Sequence, residues 1–247
     1  MTVSYDGTGF NGWQKQGNTE NTVQEKLENV LSRMADKPVD VNGAGRTDAG
    51  VHAAAQVASF KLGNYYEPGE IIDYVNRYLP VRISVSEVSE AAPNFHARFS
   101  AKAKTYVYRI WNSPVRNVFE HPYLYQYTDC VLDCEKMQEA ANLFIGECDL
   151  AAFCVPSQLK SYDKKGKSTV RRIYNIEVCC RGDEISLIFK GSGFMYNTVR
   201  IITGTLIEVG AGLRSCESVS YAIKSRDRAL AGFKAPACGL ILASVEY

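Results

Sequence analysis

The stretch from Phe194 to Val209 is apolar on nearly every side when wound as a helix, and one charge, Arg200, interrupts it. A helix apolar all round cannot rest on a surface and belongs inside a protein. The chain must therefore place structure on more than one side of this segment, and its 247 residues leave room for two modest halves to do so. A guanidinium in such a helix must meet a partner or open onto a cleft. The alternative is a side chain that snorkels to the helix surface.

The N-terminal part has a legible plan. Thr2 to Asp6 reads as a strand that stops at the Gly7 and Gly9 turn. A helix opens at Thr22, whose hydroxyl makes a capping-box pattern with Glu25. Val23, Leu27, Val30, Leu31 and Met34 then recur at helical spacing until Lys37-Pro38. Two strands flank a loop around residue 48, a helix covers about Pro68 to Tyr78, and a strand runs from Arg82 to Val88. Strand, helix, strand, strand, helix, strand is the ferredoxin-like order, with two helices on one face of an antiparallel sheet.

After Pro93 the plan roughly repeats. It has a strand at Tyr106 to Trp111, a helix at Cys134 to Ile145, and a hairpin of Val170 to Cys180 with Glu184 to Lys190 turning at Gly182-Asp183. Helices at 194–209 and near Val219 to Lys224 follow, then a last strand at Leu240 to Val245. This predicts an α+β fold of two ferredoxin-like (RRM-like) halves, residues 1–97 and 98–247. Their antiparallel sheets would be joined side by side, with helices on one face and an active-site cleft between the halves.

At 46% hydrophobic and 22% charged residues the composition is that of an ordinary globular protein. No apolar run approaches the roughly 20 residues that cross a bilayer, and the N-terminus lacks signal-peptide features, so no membrane association and a cytoplasmic location are expected. The eight cysteines include no C-x-x-C and only three histidines accompany them, which predicts free, mostly buried thiols and no metal site. The net charge of +1 hides an uneven distribution. Residues 1–97 carry 8 Lys and Arg against 12 Asp and Glu, while Lys160, Lys164, Lys165, Lys167, Arg171 and Arg172 cluster against Asp163 alone. Such a run is either a solvated loop or a source of phosphate contacts.

Gly45-Arg46-Thr47-Asp48-Ala49-Gly50-Val51-His52 sets one carboxylate beside one guanidinium in a small-residue turn between apolar segments. A carboxylate there needs a partner, and Arg46 is the nearer in sequence. No P-loop, G-x-G-x-x-G, Ser-His pair or second carboxylate accompanies it. Asp48 is then either an Asx-turn residue accepting backbone hydrogen bonds or an isolated nucleophile.

The octapeptide resembles the signature of the tRNA pseudouridine synthase A family. Tyr5 to Gln14, Thr22-Val23-Gln24, Asn94 to Ser100, Lys167 to Arg171, Phe194 to Gly210 and Gly239-Leu240 match that family in order. The resemblance implies an isomerase that converts uridine to pseudouridine in the tRNA anticodon stem-loop, at the family's target positions 38, 39 and 40. The reaction is redox-neutral, so no cofactor is expected: no hydride donor, metal or ATP. By the same resemblance Asp48 is the nucleophile, attacking C1′ of the ribose or C6 of the base. Arg200 pairs with it, Tyr106 packs on the target base, and Leu240 supplies an apolar wall. Arg46, His52, Arg98 and Arg171 match motif positions that would contact the RNA, with Lys102, Lys104 and Arg172 adding phosphate contacts. Periodicity alone does not separate Tyr106 from Tyr108, which point the same way along their strand. The family also implies a homodimer in which one tRNA touches both subunits. Two rivals remain open at this level: an idle RNA-binding protein, and an α+β enzyme acting on a small uracil nucleoside.

Overall fold

A computed structural model describes residues 1–164 and 166–247. Lys165, counted in the basic run, lies outside the described residues, as do the side chains at 158, 161 and 163, the last being Asp163. The chain is a mixed α+β protein that divides into two units, Met1–Lys102 with Ile241–Tyr247, and Ala103–Leu240.

In the first unit β1 (Thr2–Tyr5), α1 (Val23–Ala35), β2 (Val41–Gly43), β3 (His52–Phe60), α2 (Pro68–Tyr78) and β4 (Ile83–Glu87) follow in order, joined by residues 241–247, which carry most of β10 (Leu240–Glu246). β1 lies antiparallel between β3 and β4. The other edge of β3 is shared: β2 runs antiparallel along Ala58–Phe60 and β10 parallel along His52–Ala53. The last strand is thus paired with β3 although it follows the second half in the chain.

Alternation along β1 buries Val3 and Tyr5, while α1 turns Val23, Leu27 and Leu31 inward and α2 turns Ile71 and Val75. Each such side chain contributes about 1.5–3 kcal/mol of burial. The Thr22 hydroxyl caps α1 by accepting from the Glu25 N–H at 3.3 Å, as expected. Val30 and Met34 are only half-buried, and the unexpected inward residue is Glu28. Its carboxylate accepts from the Val41 N–H (3.1 Å) and the Gln24 amide (2.8 Å) and pairs with Lys15 (3.2 Å), which satisfies the charge.

The second unit holds β5 (Ala103–Trp111), β6 (Tyr125–Gln126), α3 (Cys134–Asn142), β7 (Gly146–Asp149), α4 (Pro156–Lys164), β8 (Val170–Arg181), β9 (Glu184–Gly191), α5 (Thr198–Gly210) and α6 (Cys216–Ser225). Its antiparallel order is β5-β9-β8-β7, with β6 parallel to the end of β5. Every residue of α5 except Glu208 is buried, as its all-round apolarity predicts. The helix starts four residues later than the apolar run because Asn197 takes the left-handed conformation (φ 63°) at its N-cap. The basic run, read as a loop or contact strip, begins as the helix α4, on which Lys160 and Lys164 are exposed.

β7 pairs with only Val170–Ile173 of β8, and α3 closes the edge beyond. The Gln138 amide donates to the Ile176 carbonyl (3.0 Å) and accepts from the Val178 N–H (2.8 Å), standing in for a neighbouring strand. This arrangement carries a correction to the cysteine reading. Cys134, at the start of α3, and Cys180, near the end of β8, form a disulfide. Of the six free cysteines only Cys148 and Cys154 are buried. Pairing across 46 residues is set by how α3 docks on β8, which spacing does not report. Among the described residues no helix is long and apolar enough to cross a membrane.

Candidate active site

The Asp48 loop joins β2 to β3 and rests on a bed built by the segment after β1. The Trp13 N–H donates to the Thr47 carbonyl at 3.1 Å, and the Tyr5 and Thr47 hydroxyls are 2.7 Å apart. Burial pushes the Tyr5 phenol far above its ordinary range, with hydrogen bonds to Thr47 and Gln56 opposing, so it stays neutral. Gln56, fully buried on β3, clamps the other end of the loop: its amide oxygen accepts from the Gly45 N–H (3.3 Å) and its amide nitrogen donates to the Gly45 carbonyl (2.9 Å). Thr47 is buried, Asp48 half-buried, and Arg46 exposed. The two residues that directly precede Asp48 in the octapeptide are therefore a solvent-facing cation and an anchor.

Two glycines explain the Tyr5 to Gln14 motif. A Cβ at Gly7 would lie 2.1 Å from the Val51 carbonyl oxygen, and one at Gly12 would lie 2.7 Å from the Thr47 carbonyl oxygen and 3.1 Å from the Ala49 nitrogen. Gly12 also has φ +87°, which side-chain-bearing residues rarely adopt. Gly9 shares that backbone region (φ +82°) but meets nothing within 4 Å. Gly12→Ala is expected to cost about 2 kcal/mol or more and to displace the loop, lowering turnover. Gly9→Ala should carry only the backbone strain. Thermal unfolding and turnover of the two variants check this: equal activity in both would mean that the glycine bed does not position Asp48.

His52 follows the loop and is 4% exposed. Its Nδ1 accepts from the Gly7 N–H at 3.0 Å and lies 3.2 Å from Asp6 Oδ1. One nitrogen cannot do both, so the neutral ring holds Gly7 and the protonated ring turns the contact to Asp6. Burial works against ionisation of Asp6, but hydrogen bonds from Thr8 and the charges of His52 and Arg82 outweigh it and hold the carboxyl below its ordinary range. Arg98 is exposed on the turn after Phe95, away from this bed in sequence.

In the second unit Arg200 sits in the first turn of α5, 8% exposed. Its Nε donates to the Ala235 carbonyl (2.7 Å) and its Nη1 to Asn197 Oδ1 (3.1 Å), which fix the plane of the guanidinium. The snorkelling alternative does not hold for a side chain this covered. Tyr106, on β5, is also 8% exposed and meets Phe194 edge-on at 5.5 Å, so β5 and the segment leading into α5 come together. Tyr108 is fully buried and donates to the Pro236 carbonyl at 2.8 Å. Burial drives its phenol well above the usual value, and the nearby Arg200 charge opposes this without reversing it. Tyr108 is thus a core residue. Leu240 is 5% exposed, and Arg171 folds its Nη1 back onto the carbonyls of Ser168 (2.8 Å) and Val170 (2.7 Å).

The sequence profile described as "tRNA pseudouridine synthase" matches residues 1–100 and 140–247. The chain belongs to this family. Relatives named tRNA pseudouridine synthase A are 43% identical in Bacillus sp. (strain KSM-64), 44% in Geobacillus sp. (strain WCH70) and 39% in Caldicellulosiruptor bescii. Each comparison covers all of this chain and 96–98% of the relative. With the family comes the reaction class, an isomerisation carried out on tRNA.

Around the Asp48 loop the reading from sequence missed the anchoring roles of Gln56 and Tyr5. A signal for Gln56 was present: it is a polar residue at the same strand parity as His52 in an otherwise apolar β3. Tyr5 opens the Tyr5 to Gln14 motif, but a tyrosine on a buried strand face otherwise reads as core.

Proposed function

We propose that this chain converts uridine to pseudouridine in the tRNA anticodon stem-loop, with Asp48 as the nucleophile. The observation that carries the reading is the bed around the Asp48 loop, which spends Tyr5, Gly7, Gly12, Trp13 and Gln56 on holding one half-buried carboxylate in place. A solvated Asx turn needs no such investment of buried groups. In the proposed reaction the N1–C1′ bond breaks, the base turns, and C5 bonds to C1′. C5 loses its proton and N1 gains one, so no electrons are exchanged. Attack at C1′ and attack at C6 remain alternative first steps.

Arg200, its guanidinium oriented from two sides, pairs with Asp48 in this reading and keeps it ionised. Tyr106 packs on the uracil and Leu240 forms an apolar wall. Arg46, exposed beside the loop, takes phosphate together with Arg98 and Arg171, while His52 acts by holding the Gly7 turn under the loop. The β4-β1-β3-β2 order of the first unit supports reading that unit as a ferredoxin-like half. A homodimer sharing one tRNA and a cytoplasmic location complete the proposal.

Activity should be compared on an unmodified anticodon stem-loop transcript and on free uridine, with chromatography of the digested nucleosides. Product is expected from the RNA alone, with affinity falling steeply as salt rises. Turnover of free uridine would favour the small-nucleoside enzyme, and binding without turnover would favour the idle RNA binder.

A further inference from the structure

We infer that Phe99 is a stacking platform for an unpaired base of the RNA substrate, presented by the turn from His96 to Ser100. The inference rests on the tRNA reading and adds to it a residue that makes no part of the Asp48 bed. Phe99 is 78% exposed. A single exposed aromatic is unremarkable by itself, but two further features distinguish this one.

The turn beneath it is firmly held. Ala97 is fully buried, its N–H donates to Ser59 Oγ (3.2 Å), and its carbonyl accepts from the Tyr247 hydroxyl (2.7 Å). The Ser100 N–H donates to the His96 carbonyl (2.9 Å), the His96 N–H to Ser100 Oγ (3.2 Å), and the Arg98 N–H to His96 Nδ1 (3.1 Å). Tyr247 also meets the Phe95 ring at 4.9 Å. A backbone fixed by this many bonds keeps the Phe99 ring out in water when a freely moving turn could fold it away.

The ring's immediate neighbours are a second aromatic ring and a cation. The His96 ring lies 4.4 Å from the Phe99 ring and the Arg98 guanidinium 5.9 Å from its centre. Residues 94–104 contain Arg98, Lys102 and Lys104 and no Asp or Glu. Residues 1–93, by contrast, carry 8 Lys and Arg against 12 Asp and Glu. An exposed ring beside a cation suits a base with its phosphate: the base stacks on the ring and the backbone meets the charge.

The test compares Phe99→Ala, Phe99→Leu and Phe99→Trp in the full chain. It measures fluorescence anisotropy of an unmodified tRNA transcript over a range of salt, with steady-state turnover on the same RNA. Phe99→Ala is expected to weaken binding about 10-fold, with the loss falling on KM rather than kcat, and to leave the salt slope and the unfolding temperature as they are. Phe99→Trp should restore binding and Phe99→Leu should not, because stacking requires a flat ring. Arg98→Ala should lower the salt slope by about one phosphate contact. An active wild-type chain whose Phe99→Ala or Phe99→Leu variant binds tRNA as tightly as wild type overturns the inference while leaving the function intact. A Phe99→Ala variant with an altered oligomeric state overturns it in favour of a contact between copies. A wild-type chain that neither binds nor modifies tRNA overturns the functional reading and this inference with it.

Discussion

Asp48→Asn is expected to lower pseudouridine formation on an unmodified tRNA transcript by at least about 10,000-fold while leaving tRNA affinity within about 3-fold of wild type. The amide is nearly isosteric with the carboxylate, so the loop should keep its anchors at Thr47 and Gly45 and the surface presented to RNA should be little changed. What is lost is the only nucleophile the proposed mechanism contains. Chromatography of digested tRNA measures the first quantity and anisotropy the second. Turnover within about 10-fold of wild type would remove Asp48 from that role, since no nucleophilic step survives the loss of its nucleophile so lightly.

Arg200→Met has the second-largest expected effect, and it falls on both activity and stability. The Ala235 carbonyl and Asn197 Oδ1 each lose a donor, at a cost of about 1–3 kcal/mol for each acceptor left buried and unmet. If Asp48 is the proposed partner, kcat/KM should fall at least about 100-fold as well, because an uncompensated carboxylate loses the charged form the reaction needs. Arg200→Lys should recover little, since an ammonium cannot serve the Ala235 carbonyl, Asn197 and a carboxylate with one planar fork. Unfolding of Asp48→Asn, Arg200→Met and the double variant decides the pairing. A coupling of about 1–3 kcal/mol is expected, with Asp48→Asn easing the defect left by Arg200→Met. Strictly additive effects would sink the pair, whatever the activities.

Much of the architecture was legible because its signals are local. The bounds of α2 agree with the periodic reading, and α1 begins where Thr22 can cap it. The β8–β9 hairpin turns at Gly182, which has a positive φ of 59°. The readings that failed depend on what lies across space. α4 was hidden inside a run whose charges suggested a loop, and nothing local marks Glu28 as an inward residue, because its Val41 partner is 13 residues on. The Cys134–Cys180 disulfide contradicts an inference drawn from motif spacing, which says nothing about two elements docked side by side.

For the candidate site, sequence alone nominated the residues proposed to bear chemistry. One carboxylate in a small-residue turn, one arginine in an apolar helix and a chain of motifs in family order are all readable along the chain. Tertiary structure decided what each of those residues rests on. It put Gln56 and Tyr5 under the Asp48 loop, turned His52 toward Gly7, left Arg46 in solvent, and committed two edges of the Arg200 guanidinium to Ala235 and Asn197. The division follows from range. Residue type and spacing reach a few positions along the chain, whereas a hydrogen bond closing over 35 or 42 residues exists only once the intervening chain has folded and its entropy has been lost.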